Sequence, residues 1–97
     1  MNITKAAMAG TLESGDVQVK IEPSDGGTSV DISSIVLNQY GRQIKTVVLE
    51  TLSGLGVVSA KVTVVEKGAL DCTIVARTEC AAYRAAENTG NIPWGAK

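Results

Sequence analysis

Three stretches of this sequence alternate apolar and polar residues, and this period of two constrains the fold more than any other feature. The stretches are residues 16–22, 59–65 and 70–76. Such alternation is typical of β-strands that bury one face and expose the other to water, and it favours an antiparallel or mixed sheet. The predicted inward residues are Val17, Val19 and Ile21, then Ala60, Val62 and Val64, then Leu70, Cys72, Ile74 and Ala76. Shorter strands are predicted at residues 6–12 and 29–33.

Two other stretches predict helices. Between residues 35 and 55, apolar residues recur at steps of three and four, which forms one helical stripe. That stripe consists of Val36, Tyr40, Ile44, Val47, Val48, Leu52 and Leu55. Glycine at position 54 or 56 can end this helix. Residues 77–88 predict a second, alanine-rich helix that Asn88 or Gly90 would stop.

The connections complete the predicted order. Residues 23–28 join two strands, and Glu66-Lys67-Gly68 is expected to close a hairpin. The order is then β-β-β-α-β-β-α. We therefore predict a single α+β domain over residues 1–97, with one mostly antiparallel sheet of about five strands and two helices packed on one face.

Composition excludes several classes of function. The net charge is -1 and the nine basic residues are scattered, whereas nucleic-acid binding needs concentrated Lys and Arg. We find no secretory signal and no apolar stretch that could span a membrane, so we expect a cytoplasmic protein. Cys72 and Cys80 without any histidine leave a metal site half built, so they are most simply buried apolar residues or free thiols.

Ser14 is the candidate functional residue. It lies in Glu13-Ser14-Gly15-Asp16, a tight turn between two apolar runs, where a hydroxyl is exposed and accessible to another enzyme. Gly15 permits the turn and leaves space beside it. Glu13 and Asp16 surround the hydroxyl with negative charge, which disfavours unassisted attack on a phosphate. From the residues alone, most serines in such turns only terminate strands, and Ser24 has the same claim to exposure.

The absence of histidine removes the usual base beside a serine nucleophile. This points to a serine that receives a group and does not itself catalyse. A self-contained enzyme is therefore the weakest of the functional classes, because metal clusters and a glycine-rich phosphate loop are also lacking in the sequence.

A resemblance separates Ser14 from Ser24. Residues 9–17, Ala-Gly-Thr-Leu-Glu-Ser-Gly-Asp-Val, resemble the serine-bearing segment of the citrate lyase acyl carrier protein, the gamma chain of that enzyme. Residues 67–72, Lys-Gly-Ala-Leu-Asp-Cys, the spacing of the two stretches and the near-terminal Pro93-Trp94 also fit that family. The resemblance implies that Ser14 carries 2'-(5''-phosphoribosyl)-3'-dephospho-coenzyme A through a phosphodiester.

The resemblance also implies the partners. The alpha chain of citrate lyase would exchange the acetyl group on the arm for citrate, and the beta chain would cleave the citryl thioester to oxaloacetate. A separate transferase would form the holo-carrier. This chain would be a non-catalytic carrier subunit, with no role in binding nucleic acid or membrane.

Two alternatives remain open. One is the carrier subunit of malonate decarboxylase, which uses the same kind of arm. The other is an unmodified interaction module that binds a partner protein through Trp94 or through an exposed strand edge. Asp71, Glu79 and Lys67 are interpreted as solvated surface charges.

Overall fold

A computed structural model describes the backbone of residues 2–34 and 37–86, and the side chains of the same residues except 37–41. Within these ranges four strands and two helices follow one another. They are β1 (Ala7–Gly10), β2 (Val17–Pro23), β3 (Thr28–Ser34), α1 (Leu37–Gly54), β4 (Ala60–Glu66) and α2 (Asp71–Ala85).

The four strands form one sheet in the order β1-β2-β4-β3. β1 pairs with β2 and β2 pairs with β4 in antiparallel directions, whereas β3 and β4 are parallel. The parallel pair is joined through α1, because parallel neighbours require a crossover connection. The predicted α+β class and the mostly antiparallel sheet are confirmed, with four strands in place of about five.

One face of the sheet forms the core. The alternation predicted for the first two stretches is confirmed, since Val17, Val19 and Ile21 of β2 and Ala60, Val62 and Val64 of β4 are all buried. Both helices contribute buried residues to the same cluster. The opposite face is mostly polar, with Met8 and Val65 as apolar exceptions, and it carries the Lys20–Glu22 ion pair at 3.8 Å. Burying one face of a sheet under two helices is how this chain removes its apolar surface from water.

The first helix follows the prediction. Ile44, Val47, Val48 and Leu52 are buried, and Leu55 is half-buried; the side chains of Val36 and Tyr40 lie outside the described residues. α1 ends at Gly54, and Gly56 has a φ of +75°. The amides of Gly56 and Val57 donate to the carbonyls of Ser53 and Leu52 at 3.0 Å. This is the Schellman arrangement, in which glycine adopts the left-handed conformation after a helix.

The strand predicted at residues 70–76 is wrong, because these residues begin α2. Of its four predicted inward residues only Ile74 is buried, whereas Leu70, Cys72 and Ala76 are exposed. The buried residues of α2 include Ile74, Thr78, Ala81, Ala82 and Ala85, which recur at helical spacing. A short apolar alternation does not by itself distinguish a strand from the first turns of a helix.

The hairpin predicted at Glu66-Lys67-Gly68 is also wrong, since this segment connects β4 to α2. β4 already pairs with β2 on one side and β3 on the other, so no edge of β4 is available to a following strand. The second helix was predicted correctly in type, but it begins at Asp71 and not at residue 77. Asn88 and Gly90, its predicted stops, lie outside the described residues.

Substitutions at Ile74 and Cys72 distinguish the helix from the strand. We expect Ile74→Ala to lower the free energy of unfolding by about 2–5 kcal/mol, because it leaves a cavity in the core. The control Cys72→Ala should change it by under about 0.5 kcal/mol, because that side chain is exposed. Urea denaturation measures both values. Similar losses for the two variants would contradict the helix, because a strand would bury both side chains.

Candidate functional site

Ser14 lies at the tip of the loop that connects β1 to β2, residues 11–16. Its side chain is exposed. The Asp16 amide donates to the Glu13 carbonyl at 3.0 Å, which closes a four-residue turn. Gly15 occupies the third position of this turn with a φ of +84°, the conformation that a type II turn reserves for glycine. The structure therefore places the serine on an open surface, in a turn that needs glycine at position 15.

The backbone ties this loop to the residue that follows β4. The Gly15 amide donates to the Lys67 carbonyl at 2.6 Å, and the Lys67 amide donates to the Asp16 carbonyl at 2.9 Å. These bonds extend the β2–β4 ladder beyond the ends of both strands. A Cβ placed on Gly15 would meet no heavy atom within 4 Å. The Ser14 turn is thus anchored on its inner side and unobstructed on its outer side.

The side chain of Asp16 organises the loop from within. Its Oδ2 accepts hydrogen bonds from the Thr11 hydroxyl at 2.6 Å and the Thr11 amide at 3.1 Å. Its Oδ1 accepts one from the Val17 amide at 2.7 Å. Arg77 of α2 donates from Nε to Oδ1 and from Nη2 to Oδ2, each at 3.1 Å. This bidentate pair joins residues 61 positions apart and fixes the loop against the second helix.

These contacts change the charge beside the serine. The hydrogen bond from Thr11, then those from Arg77 and the Val17 amide, hold the pKa of Asp16 well below its ordinary value. Asp16 is therefore an anion that points inward and is paired with a guanidinium. Of the two acids predicted to flank the hydroxyl, only Glu13 is exposed. The negative field predicted at Ser14 is consequently weaker than two unpaired carboxylates would produce.

Gly10 sets the direction in which the chain enters the loop. Its φ is +92°, and a Cβ added there would lie 1.8 Å from the Val17 carbonyl oxygen. Only glycine allows the two chains to approach this closely at the end of the β1–β2 ladder. The requirement is tertiary in origin, because it arises from the neighbouring strand.

A second buried acid shapes the neighbouring segment, residues 67–70. Glu66 is 2% exposed, and its Oε1 accepts hydrogen bonds from the amides of Gly68 and Ala69. Its Oε2 accepts one from the Ser34 hydroxyl at 3.3 Å. The buried carboxylate thus has hydrogen-bond partners, and it holds two backbone amides of the connection to α2. The sequence analysis did not identify this role.

Ser24, the other candidate serine, lies at the opposite end of the sheet. It follows Pro23, which pairs with Ala60 at the start of β4. The side chain is half-buried, its Oγ accepts a bond from the Gly26 amide at 3.3 Å, and its carbonyl accepts one from Ser59. The prediction of exposure equal to that of Ser14 is wrong, because the loop folds back on this residue.

The remaining predicted residues occupy different environments. Cys72 is exposed and Cys80 is half-buried, and both are free thiols. Asp71 is exposed as predicted, and its Oδ2 accepts a hydrogen bond from the side-chain Nε2 of Gln43 at 3.1 Å. Glu79 is buried, so its prediction as an outward charge is wrong; the side chain lies on the face of α2 that packs inward. Trp94 lies outside the described residues.

Residues 2–34 and 37–86 contain neither a metal site nor a membrane-spanning helix. No group of three or more Cys, Asp and Glu side chains there is arranged to hold a metal ion. No helix there is long and apolar enough to cross a membrane.

Sequence comparison finds relatives along nearly the whole chain. The profile of the family described as "Malonate decarboxylase delta subunit (MdcD)" matches residues 4–85. The citrate lyase acyl carrier protein of Haemophilus influenzae (strain 86-028NP) is 50% identical over 91 residues, which cover 94% of this chain and 95% of that protein. The protein of the same description from Fusobacterium nucleatum is 51% identical, over 91% of this chain and 95% of the relative.

A solved structure has the same fold. It is a chain of a Pseudomonas malonate decarboxylase hetero-tetramer in complex with malonate, with a TM-score of 0.75 over 86% of both chains. The sequence identity is 20%. This likeness establishes the common architecture and carries no further argument about activity.

Substitution of Gly10 tests the close approach of the loop. We expect Gly10→Ala to lower the free energy of unfolding by about 2–4 kcal/mol, because backbone strain and a clash with the Val17 carbonyl act together. Gly27→Ala is the matched control, with a φ of +89° and no atom within 4 Å of a new Cβ. It should cost about 1–2 kcal/mol, from backbone strain alone. Equal losses in urea denaturation would contradict the clash.

The Asp16 contacts predict a specific pH dependence. We expect Asp16→Asn to lower the free energy of unfolding at neutral pH by about 1–3 kcal/mol, because five donor atoms from three residues lose a charged acceptor. Arg77 is 40% exposed, so the ion pair itself contributes under about 1 kcal/mol of this. Because the pKa of Asp16 is lowered on folding, the wild-type advantage is present above about pH 4 and is lost as the pH falls further.

Urea denaturation of both proteins between about pH 7 and pH 2 measures this dependence. A difference in stability that stays constant over the whole range would contradict the assignment of Asp16 as the hydrogen-bonded anion of the loop.

Proposed function

The chain belongs to the family of the citrate lyase acyl carrier proteins, and on that premise we propose that Ser14 is its attachment site within a citrate lyase. The observation that carries the proposal is the state of the Ser14 turn. Its hydroxyl is exposed and its outer side is open, while Asp16, Arg77 and the Lys67 backbone hold the turn from within. The Ser14 hydroxyl is thereby presented on an open surface that is supported from within.

We further propose that Ser14 carries 2'-(5''-phosphoribosyl)-3'-dephospho-coenzyme A through a phosphodiester. The described residues are compatible with such a group. Gly15 has no neighbour within 4 Å of a would-be Cβ, which leaves space for a bulky substituent on the adjacent residue. Among the described residues no side chain is hydrogen-bonded to the Ser14 hydroxyl, so its oxygen is available for substitution.

Attachment would proceed at Ser14 Oγ. The oxygen attacks the phosphorus of a phosphoanhydride donor, and a new Oγ–P bond forms while the anhydride P–O bond breaks. The leaving phosphate or pyrophosphate takes that electron pair, and the Ser14 proton passes to a base. That base must come from a separate transferase, because the chain has no histidine and Asp16 is engaged with Arg77 and Thr11. The exposed Glu13 favours a cationic transferase surface at this point.

When bound, the arm supplies a thioester on a long flexible tether, which keeps acyl groups at high effective concentration near two active sites. We propose that these sites belong to the alpha and beta chains of citrate lyase, within the cytoplasm. In this proposal Ser14 holds the tether, and the two enzyme chains supply the acids and bases of the reaction. Rigid anchoring of the turn by Asp16 fixes the starting point of the tether on the surface of the carrier.

A role as the carrier of malonate decarboxylase is the second candidate. The description of the matched family profile favours it. The relatives at about 50% identity over nearly the full chain favour citrate lyase, and identity at this level outweighs a likeness of fold at 20%. Growth of the native host on malonate in place of citrate, in the mass measurement described below, separates the two candidate functions.

Intact-mass measurement and peptide mapping test the attachment site. The chain is purified from its native host during growth on citrate, beside the Ser14→Ala and Ser24→Ala variants. We expect the added mass on the wild type and on Ser24→Ala, mapped to Ser14, and none on Ser14→Ala. Circular dichroism and urea denaturation should show the Ser14→Ala fold to be unchanged, because the side chain is exposed.

Added mass on Ser14→Ala, or at another residue of the wild type, would overturn the assignment. An unmodified wild-type chain in cells that contain the active transferase would instead favour an interaction module without a covalent group.

A further inference from the structure

Two loops meet at the end of the sheet that holds Ser14, and each exposes one leucine. Residues 11–16 and residues 67–70, here called the carrier face, are joined by the two backbone hydrogen bonds between Lys67 and the Ser14 turn. Leu12 lies in the first loop with 56% of its surface exposed, and Leu70 lies in the second with 70% exposed. Neither belongs to the core cluster.

Leu70 is an unfavourable residue for its position at the start of α2. It is the N-cap residue of α2, and it makes no side-chain capping bond. Serine, threonine, aspartate or asparagine would stabilise the start of the helix, whereas leucine is among the poorest residues there. Burial does not compensate, because most of the side chain is in water. A residue that weakens the local structure without a packing gain is the kind of exception that function explains.

Leu12 is unusual in the same way. It lies two residues before Ser14 in a loop whose other residues are polar or glycine, and loop tips of this kind rarely present large apolar side chains. A single exposed leucine needs no explanation. Two of them on adjoining loops, one of which also bears Ser14, indicate an interaction site.

We propose that Leu12 and Leu70 are the apolar anchors by which the carrier face docks onto the enzyme that attaches the arm to Ser14. The inference rests on the function proposed above for Ser14. That enzyme must bring an electrophilic phosphorus within bonding distance of Ser14 Oγ, so it has to contact the carrier face directly. Enzymes that use the thioester meet the far end of the arm and do not need this contact.

Charge and rigidity support the same occupant. An enzyme that holds an anionic phosphoanhydride donor presents cationic groups near the reacting oxygen, and the exposed Glu13 is complementary to them. The bidentate Asp16–Arg77 pair holds the loop in one shape before binding. A preformed loop lowers the conformational entropy lost on docking.

The test measures loading kinetics with purified apo-carrier, the attaching enzyme and its phosphoanhydride donor, followed by intact mass. Leu12→Gln and Leu70→Gln are compared with the control Val58→Gln. Val58 is 78% exposed. It precedes the start of β4, whereas the carrier face lies at the end of that strand. We expect the KM for apo-carrier to rise about tenfold for each leucine variant, with kcat within about twofold of wild type. The control should load as the wild type does.

Direct binding gives a second readout that does not depend on loading. Each leucine substitution is combined with Ser14→Ala, and the dissociation constant for the attaching enzyme is measured by calorimetry. A weakening of about tenfold relative to Ser14→Ala alone is expected. Urea denaturation should find both leucine variants at least as stable as the Val58 control, which excludes unfolding as the cause.

The outcomes separate the two proposals. If the wild-type chain is loaded on Ser14 and the leucine variants are loaded with wild-type KM, the docking inference is overturned and the function of Ser14 stands. A drop in kcat with unchanged KM and unchanged binding would also overturn it. If the wild-type chain receives no group on Ser14, the proposed function fails, and the docking inference fails with it.

Discussion

Pairing of β4 on both of its edges is the constraint on which the rest of this structure depends. β2 occupies one edge in antiparallel register and β3 occupies the other in parallel register. The chain that leaves β4 cannot form a hairpin with β4, and it continues as α2, which packs over the buried face of the sheet. The same pairing brings Lys67, the residue after β4, against the Ser14 turn. Sheet topology thus determines both the position of the second helix and the inner support of the candidate site.

Asp16 converts this topology into a rigid site. Its carboxylate closes the loop through Thr11 and Val17, and it receives the guanidinium of Arg77 from α2. Since Arg77 stands on the helix that follows β4, the loop and the second helix are coupled through one ion pair. Placement of this charge inside the loop also leaves the surface around Ser14 open, which suits a residue that another enzyme must reach.

The roles of the side chains at the Ser14 end of the sheet differ according to whether they are buried or exposed. Buried or inward-facing acids, Glu66 and Asp16, satisfy backbone amides and hold the two loops in shape. Three side chains on the same loops are exposed and lie outside the core cluster: Leu12, Glu13 and Leu70. The acids therefore support the two loops from within. The exposed residues on the same loops are the ones that a partner protein can contact.

The features that the sequence determined by itself depend only on residues close together in the chain. The period-two pattern identified β2 and β4 with their inward faces, because alternation follows from strand geometry alone. Helical spacing identified α1 and the existence of α2, and the Glu-Ser-Gly-Asp turn was recognisable from its own four residues. The tertiary structure decided the rest. Residues 70–76 carry an alternation compatible with a strand, but both edges of β4 are occupied, so these residues cannot form the predicted hairpin with it. The burial of Glu79, the need for glycine at position 10 and the pairing of Asp16 with Arg77 depend on residues distant in the chain, so no local pattern records them.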